Sequence, residues 1–243
     1  MYRFFSIVQG HYHMWFVLMI IGIYMCMPFI KPIVTKNAKI KYYLLLALIF
    51  AFIVPEIITL ANDFWNELVI KCASALNAVV TDMYMHMVLG CVSYFVLGFY
   101  LNKIELNKRQ RVIIYVLGIS GFVFTIAMNL IVALKTQTPC QNYYGSFTVN
   151  VLFEAVAVFT WFKHKKYNRA KLNAFVQKLS KYSFGAYLVH ALIIEQLDIR
   201  IGLNTLSFNP VLSVLSIGII VFVVSFVISA ILNHIPIIKK YMV

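Results

Sequence analysis

Seven stretches of this chain are so long and so apolar that no water-soluble fold can bury them: residues 14–30, 42–61, 85–101, 112–134, 146–162, 183–199 and 211–232. A bilayer core of about 30 Å takes about 20 mostly apolar residues per helix, within a range of about 17–25. Strands of an outer-membrane barrel would alternate over about ten residues instead. Hydrocarbon offers the backbone no partner outside the chain, so helices are the remaining solution. Composition agrees: 12% of the residues are charged and 62% hydrophobic, against about 25% charged in soluble domains. The sequence therefore predicts an all-α integral membrane protein, a polytopic bundle of about seven transmembrane helices in a single domain over residues 1–243. The first run is too long for a cleavable signal peptide, and no small-residue cleavage site follows it. Pro28 and Pro32 are expected to close that run, and Pro55 to kink the second.

The net charge of +13 could point to nucleic acid, so its distribution decides the matter. Seventeen of the 21 Lys and Arg residues fall in the connections after the first, third and fifth runs and in the tail. The opposite side keeps Arg3, Lys71, Lys135 and Arg200. By the positive-inside rule the basic connections are cytoplasmic, the amino terminus lies outside and the carboxy terminus is cytoplasmic. Residues 62–84 then form an external loop with a short amphipathic run through Trp65, Leu68 and Val69, and residues 163–182 a basic cytoplasmic loop. Topology accounts for the charge, so the expected partner is the lipid bilayer and not nucleic acid. Four scattered cysteines, with no CxxC and no His/Cys pair at metal spacing, give neither a disulfide framework nor a metal site. Cys72 and Cys140 both fall outside, as two thiols or as one bridge. An outside entry at Met1 is what an odd number of preceding helices would produce, so the chain reads as the carboxy-terminal part of something longer.

Two segments carry a resemblance. His11-Tyr12-His13-Met14-Trp15-Phe16 leads into Gly22-Ile23-Tyr24 and Pro28, and Ser183-Phe184-Gly185-Ala186-Tyr187-Leu188-Val189-His190 opens the sixth run. Together they resemble the membrane acyltransferase-3 family, which includes O-acetyltransferases of bacterial surface polysaccharides. Tyr94-Phe95-Val96-Leu97-Gly98 is similar to a weaker stretch of the same family. The resemblance covers most of the chain in the family's order. It implies about ten helices, three of them not in this sequence, including the first, which carries the family's Arg and catalytic His. A separate chain supplying those helices is one expected partner. The resemblance also implies acetyl-coenzyme A as donor, a carbohydrate or cell-envelope hydroxyl as acceptor, and a multi-pass place in the bacterial plasma membrane.

Polar residues inside spans are costly and count as functional candidates. Ser183, Tyr187 and His190 share one helical face at i, i+4, i+7, either as a hydrogen-bonding wall for a substrate or as a packed structural histidine. His13 shares a face with Tyr24 and is expected to bind acceptor or orient a partner at the external mouth, while Tyr12 and Trp15 read as an interfacial belt. Glu154, one turn after Asn150, and Glu56, beside Pro55, are candidates for a proton relay or for pairing with an arginine such as Arg200; satisfied packing is the other reading. Lys165, Lys166 and Arg169 could hold a coenzyme-A phosphate, although positive-inside bias alone explains them, and the stretch around them could form a surface helix on anionic lipid. Ser213, Ser216, Gly218, Ser225 and Ser229 read as a helix-packing seam.

The reading is a membrane-bound acyltransferase with His13, His190, Tyr187, Ser183 and Glu154 as its catalytic candidates. The rival readings are a non-catalytic or degenerate membrane protein and, with less support, a small-solute transporter or flippase, which lacks the inverted repeat such proteins show.

Overall fold

The computed structural model describes residues 12–165, 170–205 and 207–235. They form helices α1 (Trp15–Val34), α2 (Asn37–Phe64), α3 (Glu67–Asp82), α4 (His86–Leu89), α5 (Cys91–Lys103), α6 (Lys108–Thr136), α7 (Val149–His164), α8 (Ala170–Ile201) and α9 (Pro210–Leu232). The all-α, polytopic membrane reading holds. Among the described residues, α1, α2, the 142–164 segment, α6 and α9 are long and apolar enough to cross a membrane. The chain divides into two compact units, one of residues Leu18–Lys165 and one of the two chain ends, up to Val17 and from Lys166 onward.

The predicted 85–101 run is not one continuous helix. It breaks at Gly90 into α4 and α5. At the break the Tyr43 hydroxyl donates to Val88 O at 2.6 Å, so a carbonyl that leaves the helical ladder still has a donor. Around this point Ile40, Tyr43, Ala47, Leu89, Val92 and Val96 pack with Ile30 as one apolar core of the larger unit. The 183–199 run lies within the 32-residue α8, where Glu195, Asp198 and Arg200 raise the polarity of its far end.

Prolines behave differently at their two sites. Pro28 and Pro32 do not close α1, which continues to Val34 with both inside it. In α2, Pro55 is preceded by a π-helical turn over Leu48–Ile53, in which Val54 N–H bonds Ile49 O. A π turn is one way a helix absorbs the hydrogen bond and the space that proline removes.

Two connections are more ordered than loops. The external 62–84 stretch is largely α3, started by Asn66, whose side chain accepts from Val69 N–H at 3.2 Å. Of the basic 163–182 stretch, residues from Ala170 onward are helical. Lys163 is not spread in solvent either: its Nζ donates to Leu101 O, Asn102 O and Ile104 O, closing the carboxy terminus of α5.

Helices α6 and α7 are the closest-packed pair in the larger unit. A Cβ on Gly118 would meet Ala157 Cβ at 2.3 Å, and one on Gly121 would meet Asn150 O at 2.6 Å. In the smaller unit α8 packs on α9 through Ile193, Ile217 and Val221. The buried stripe of α9 is Ser213, Ile217, Val221, Ser225 and Ser229, at a spacing of four. The predicted seam is thus kept at Ser213, Ser225 and Ser229 but misses Gly218, which is exposed, and Ser216, which is only partly covered. Ser229 Oγ donates to Tyr182 O and Ser213 Oγ to Asn204 O, both at 2.8 Å. The rest of α9 presents Val, Leu, Ile and Phe outward, as lipid contact requires.

Candidate functional site

The smaller unit brings the two sequence motifs together. His13 lies in a 3₁₀ turn, Tyr12–Met14, that precedes α1. Because helical geometry starts only at Trp15, counting a helical face from residue 13 fails: His13 is buried at 9% exposure while Tyr24 is 67% exposed. His13 instead faces α8, with its ring centroid 5.0 Å from that of His190 and 5.6 Å from that of Tyr187. The Tyr187 and His190 rings are 5.4 Å apart, which closes a triangle. Phe16, part of the first motif but given no role of its own by the sequence, forms a further wall at 5.4 Å from Tyr187. Its signal was its place in the same aromatic block, three positions after His13.

Hydrogen bonds fix the orientation of the triangle. The Tyr187 hydroxyl donates to the backbone carbonyl of His13, so it positions the turn and is not spare as a donor. His190 Nδ1 lies 2.5 Å from Tyr187 O. Against a carbonyl a ring nitrogen can only donate, so Nδ1 carries the hydrogen and Nε2 of the neutral ring keeps a lone pair. A histidine held in this tautomer by its own backbone is equipped to act as a base. Ala186 and Ala191 of the same helix are both buried. Ser183 does not join the cluster: it is exposed, and its Oγ donates to Ser180 O at 2.7 Å. Trp15 is 59% exposed, stacked edge-on with Phe16. His11, Lys166 and Arg169 lie outside the described residues.

The larger unit holds a second polar group, built on the α6–α7 pair. Glu154 Oε1 is 2.8 Å from Thr125 Oγ1, which is also 2.9 Å from Gly121 O and accepts from Asn150 Nδ2 at 2.6 Å. One hydroxyl hydrogen cannot serve both oxygens, so the network has two arrangements. They differ in whether the Thr125 hydroxyl hydrogen points to Gly121 O or to Glu154 Oε1. Asn150 Nδ2 donates to Tyr143 O at 2.9 Å, Asn129 Oδ1 accepts from Tyr143 N–H at 3.3 Å, and the Tyr143 hydroxyl donates to Asp63 Oδ2 at 3.0 Å. The Asn150–Glu154 pair was readable from its one-turn spacing. Thr125 and Asn129 carry the same one-turn spacing within the fourth run, a signal the sequence reading left unused; Tyr143 and Asp63 lie in connections between the apolar runs and carry none.

Glu56, 7% exposed, accepts from Val149 N–H at 2.6 Å. It thereby caps α7 from another helix, because the Thr148 side chain, at the capping position, donates to Gly145 O instead. Glu154 is partnered by Thr125, while Arg200 donates through Nε to Gln196 Oε1 at 2.6 Å, one turn earlier on its own helix. Lys165 places Nζ 4.1 Å from the centre of the Trp161 ring. All four cysteines are free thiols.

The acyltransferase-3 family model, described as an acyltransferase domain, matches residues 3–230. No curated protein and no solved structure matches the chain. The family match spans both histidine motifs and nearly the whole chain, and the chain belongs to the acyltransferase-3 family of membrane acyltransferases.

Proposed function

We propose that the chain transfers an acetyl group from acetyl-coenzyme A on the cytoplasmic side to a hydroxyl of an extracytoplasmic carbohydrate or other cell-envelope acceptor, in a bacterial plasma membrane. The observation that carries this reading is the 2.5 Å approach of His190 Nδ1 to Tyr187 O: a hydrogen carried on Nδ1 there leaves Nε2 able to take the acceptor's hydroxyl proton. The acceptor oxygen then bonds to the acyl carbon, the carbon–sulfur bond breaks, and the coenzyme-A thiolate leaves to be protonated. His13, edge-on to His190, orients the acceptor. The sidedness of the charges favours the outer face for the 3₁₀ turn that carries it. Lys165, Lys166 and Arg169 are the residues proposed to meet the donor's phosphates. Lys163, spent on three backbone carbonyls, is not among them.

The test is acyl transfer from labelled acetyl-coenzyme A in membranes carrying the chain, compared with His190→Ala and His13→Ala. Loss of a positioned base lowers the rate on the order of 10²–10⁴-fold. Transfer unchanged in the double variant refutes both assignments.

A further inference from the structure

Within the larger unit, the α6–α7 pair carries a groove that acyl transfer does not use. Gly118 of α6 lies so close to Ala157 of α7 that a Cβ on the glycine would meet the alanine's at 2.3 Å. Two such small residues leave a floor without side chains. Tyr115, Ile119 and Phe122 flank it from α6, Val158 and Trp161 from α7, around a space of about 470 Å³. That lies within the about 300–1,000 Å³ of small-molecule pockets. Ile119, Phe122, Val158 and Trp161 are exposed, so the groove opens to the surface. The carboxylate in its wall, Glu154, stands at the end marked by Phe122, and its Oε1 is already bonded to Thr125 Oγ1 at 2.8 Å. Along the rest of its length the groove asks for hydrocarbon.

The other end, its mouth, is cationic. The helices run antiparallel, Gly118 beside Ala157 and Gly121 beside Asn150, which sets the start of α6 next to the end of α7. Arg111 lies one turn before Tyr115, on the stripe that continues through Gly118, Ile119 and Phe122. Side chains lean toward the amino terminus of their helix, so the stem of Arg111 runs from the groove toward the membrane surface. From the other helix, Lys165 caps α7 and holds Nζ 4.1 Å from the centre of the Trp161 ring. Among the described residues the ion pairs use Lys71 and Lys163, not Arg111. Lys108 and Arg109 precede Arg111 in α6, whose first turn holds no acidic residue. Cations are disfavoured at the positive end of a helix, and an anion beside them is favoured.

Length decides between a lipid and a helix as the occupant. Phe122 follows Tyr115 by seven positions, about 10 Å of helix, which fits inside one leaflet of an about 30 Å hydrocarbon core. A spanning helix needs a trough of the full thickness. Hydrocarbon that ends beside cations at the leaflet surface belongs to a phospholipid with a negative headgroup.

We infer that this groove seats one anionic phospholipid from the leaflet at which α6 begins, its phosphate at Arg111 and Lys165 and one acyl chain along Gly118 and Ala157. The site does not depend on the acyl-transfer reading. Lys165 is also among the residues proposed to meet the donor's phosphates, so the test acts on Arg111, which is not.

Trp161 reports on the groove directly. Trp15 and Trp65, both exposed, are replaced by Phe in the full chain, which leaves Trp161 as the single tryptophan. Its fluorescence is followed in phosphatidylcholine nanodiscs as lipid with brominated acyl chains, a contact quencher, is added. Phosphatidylglycerol carrying those chains is expected to half-quench at a fraction about fivefold or more below that of phosphatidylcholine carrying them. Arg111→Gln is expected to remove most of this preference. Lys39→Gln, at an exposed cation that lines no part of the groove, is expected to leave it. Equal quenching by the two lipids makes the groove ordinary boundary surface and overturns the inference. So does quenching by neither, as for a groove covered by another helix. A preference that Arg111→Gln leaves intact, or that Lys39→Gln lowers equally, refutes the site in favour of general surface charge. A preference abolished by inorganic phosphate or coenzyme A gives the cations to a soluble anion and overturns it as well.

Discussion

The Tyr187 hydroxyl donates to the backbone carbonyl of His13, a residue 174 positions earlier in the chain. The bond ties the turn before α1 to the middle of α8, and it is made by the same residue whose carbonyl receives His190 Nδ1. One tyrosine thus positions both histidines, one through its side chain and one through its backbone.

Tyr187→Phe separates these two roles. It removes the hydroxyl bond to His13 but leaves the backbone carbonyl that orients His190. A hydrogen bond of this kind contributes about 1 kcal/mol to stability, so the protein is expected to accumulate and melt close to the parent. Its transfer rate is expected to fall about tenfold, the equivalent of about 1.4 kcal/mol at the transition state, with His13 no longer held against His190. A rate equal to the parent's would show that the fixed turn is not needed for transfer.

Thr125 sits where three groups of the α6–α7 network meet, Glu154, Asn150 and Gly121. Thr125→Val keeps the shape but leaves the Glu154 oxygen without its partner and Asn150 Nδ2 with only Tyr143 O. Leaving buried polar groups unmet is expected to cost about 2–4 kcal/mol. Thr125→Ser, which keeps the oxygen and loses a methyl, is expected to cost about 1 kcal/mol. Thermal midpoints in one detergent distinguish them; equal midpoints for Val and Ser would mean that the network adds nothing to stability.

What the sequence disclosed follows the physics of lipid. A long apolar run has few alternatives, so most spans were readable within a few residues. The break at Gly90 was not, since a glycine barely changes the mean hydropathy of the run around it. Glu56 is satisfied by packing, one of the two readings its sequence position left open, but what satisfies it was not legible. Its partner is a backbone N–H, that of Val149, 93 positions away, and a backbone group leaves no mark in a sequence. His13 and His190 could be singled out because their motifs resemble a family, but their distance of 5.0 Å was not readable from either motif. Ser183 shares a helical face with Tyr187, yet it is exposed and bonded to its own backbone; periodicity fixes a face, not the partner across from it.

The approach of α6 to α7 makes a reciprocal prediction. Gly118→Ala places a methyl 2.3 Å from Ala157 Cβ, which forces the helices apart and is expected to cost about 1–3 kcal/mol. Ala157→Gly on its own is expected to cost about 1 kcal/mol in helix propensity. The double variant swaps the two side chains across the seam and is expected to recover most of the Gly118→Ala loss. The double-mutant cycle, read from thermal midpoints, would show simple additivity if the two residues did not share a contact.

Sidedness can be read at Cys72, an exposed free thiol on α3. The charge distribution assigns residues 62–84 to the outer face. In intact cells a membrane-impermeant maleimide is therefore expected to label Cys72 in a variant whose other three cysteines are alanine, with no reductant needed. The paired measurement introduces a cysteine at Lys108, the first residue of α6, in a cysteine-free background. This position is expected to react only after the membrane is opened. The opposite pattern would invert the topology, moving the His13 turn to the cytoplasmic face and the acceptor of the proposed reaction with it.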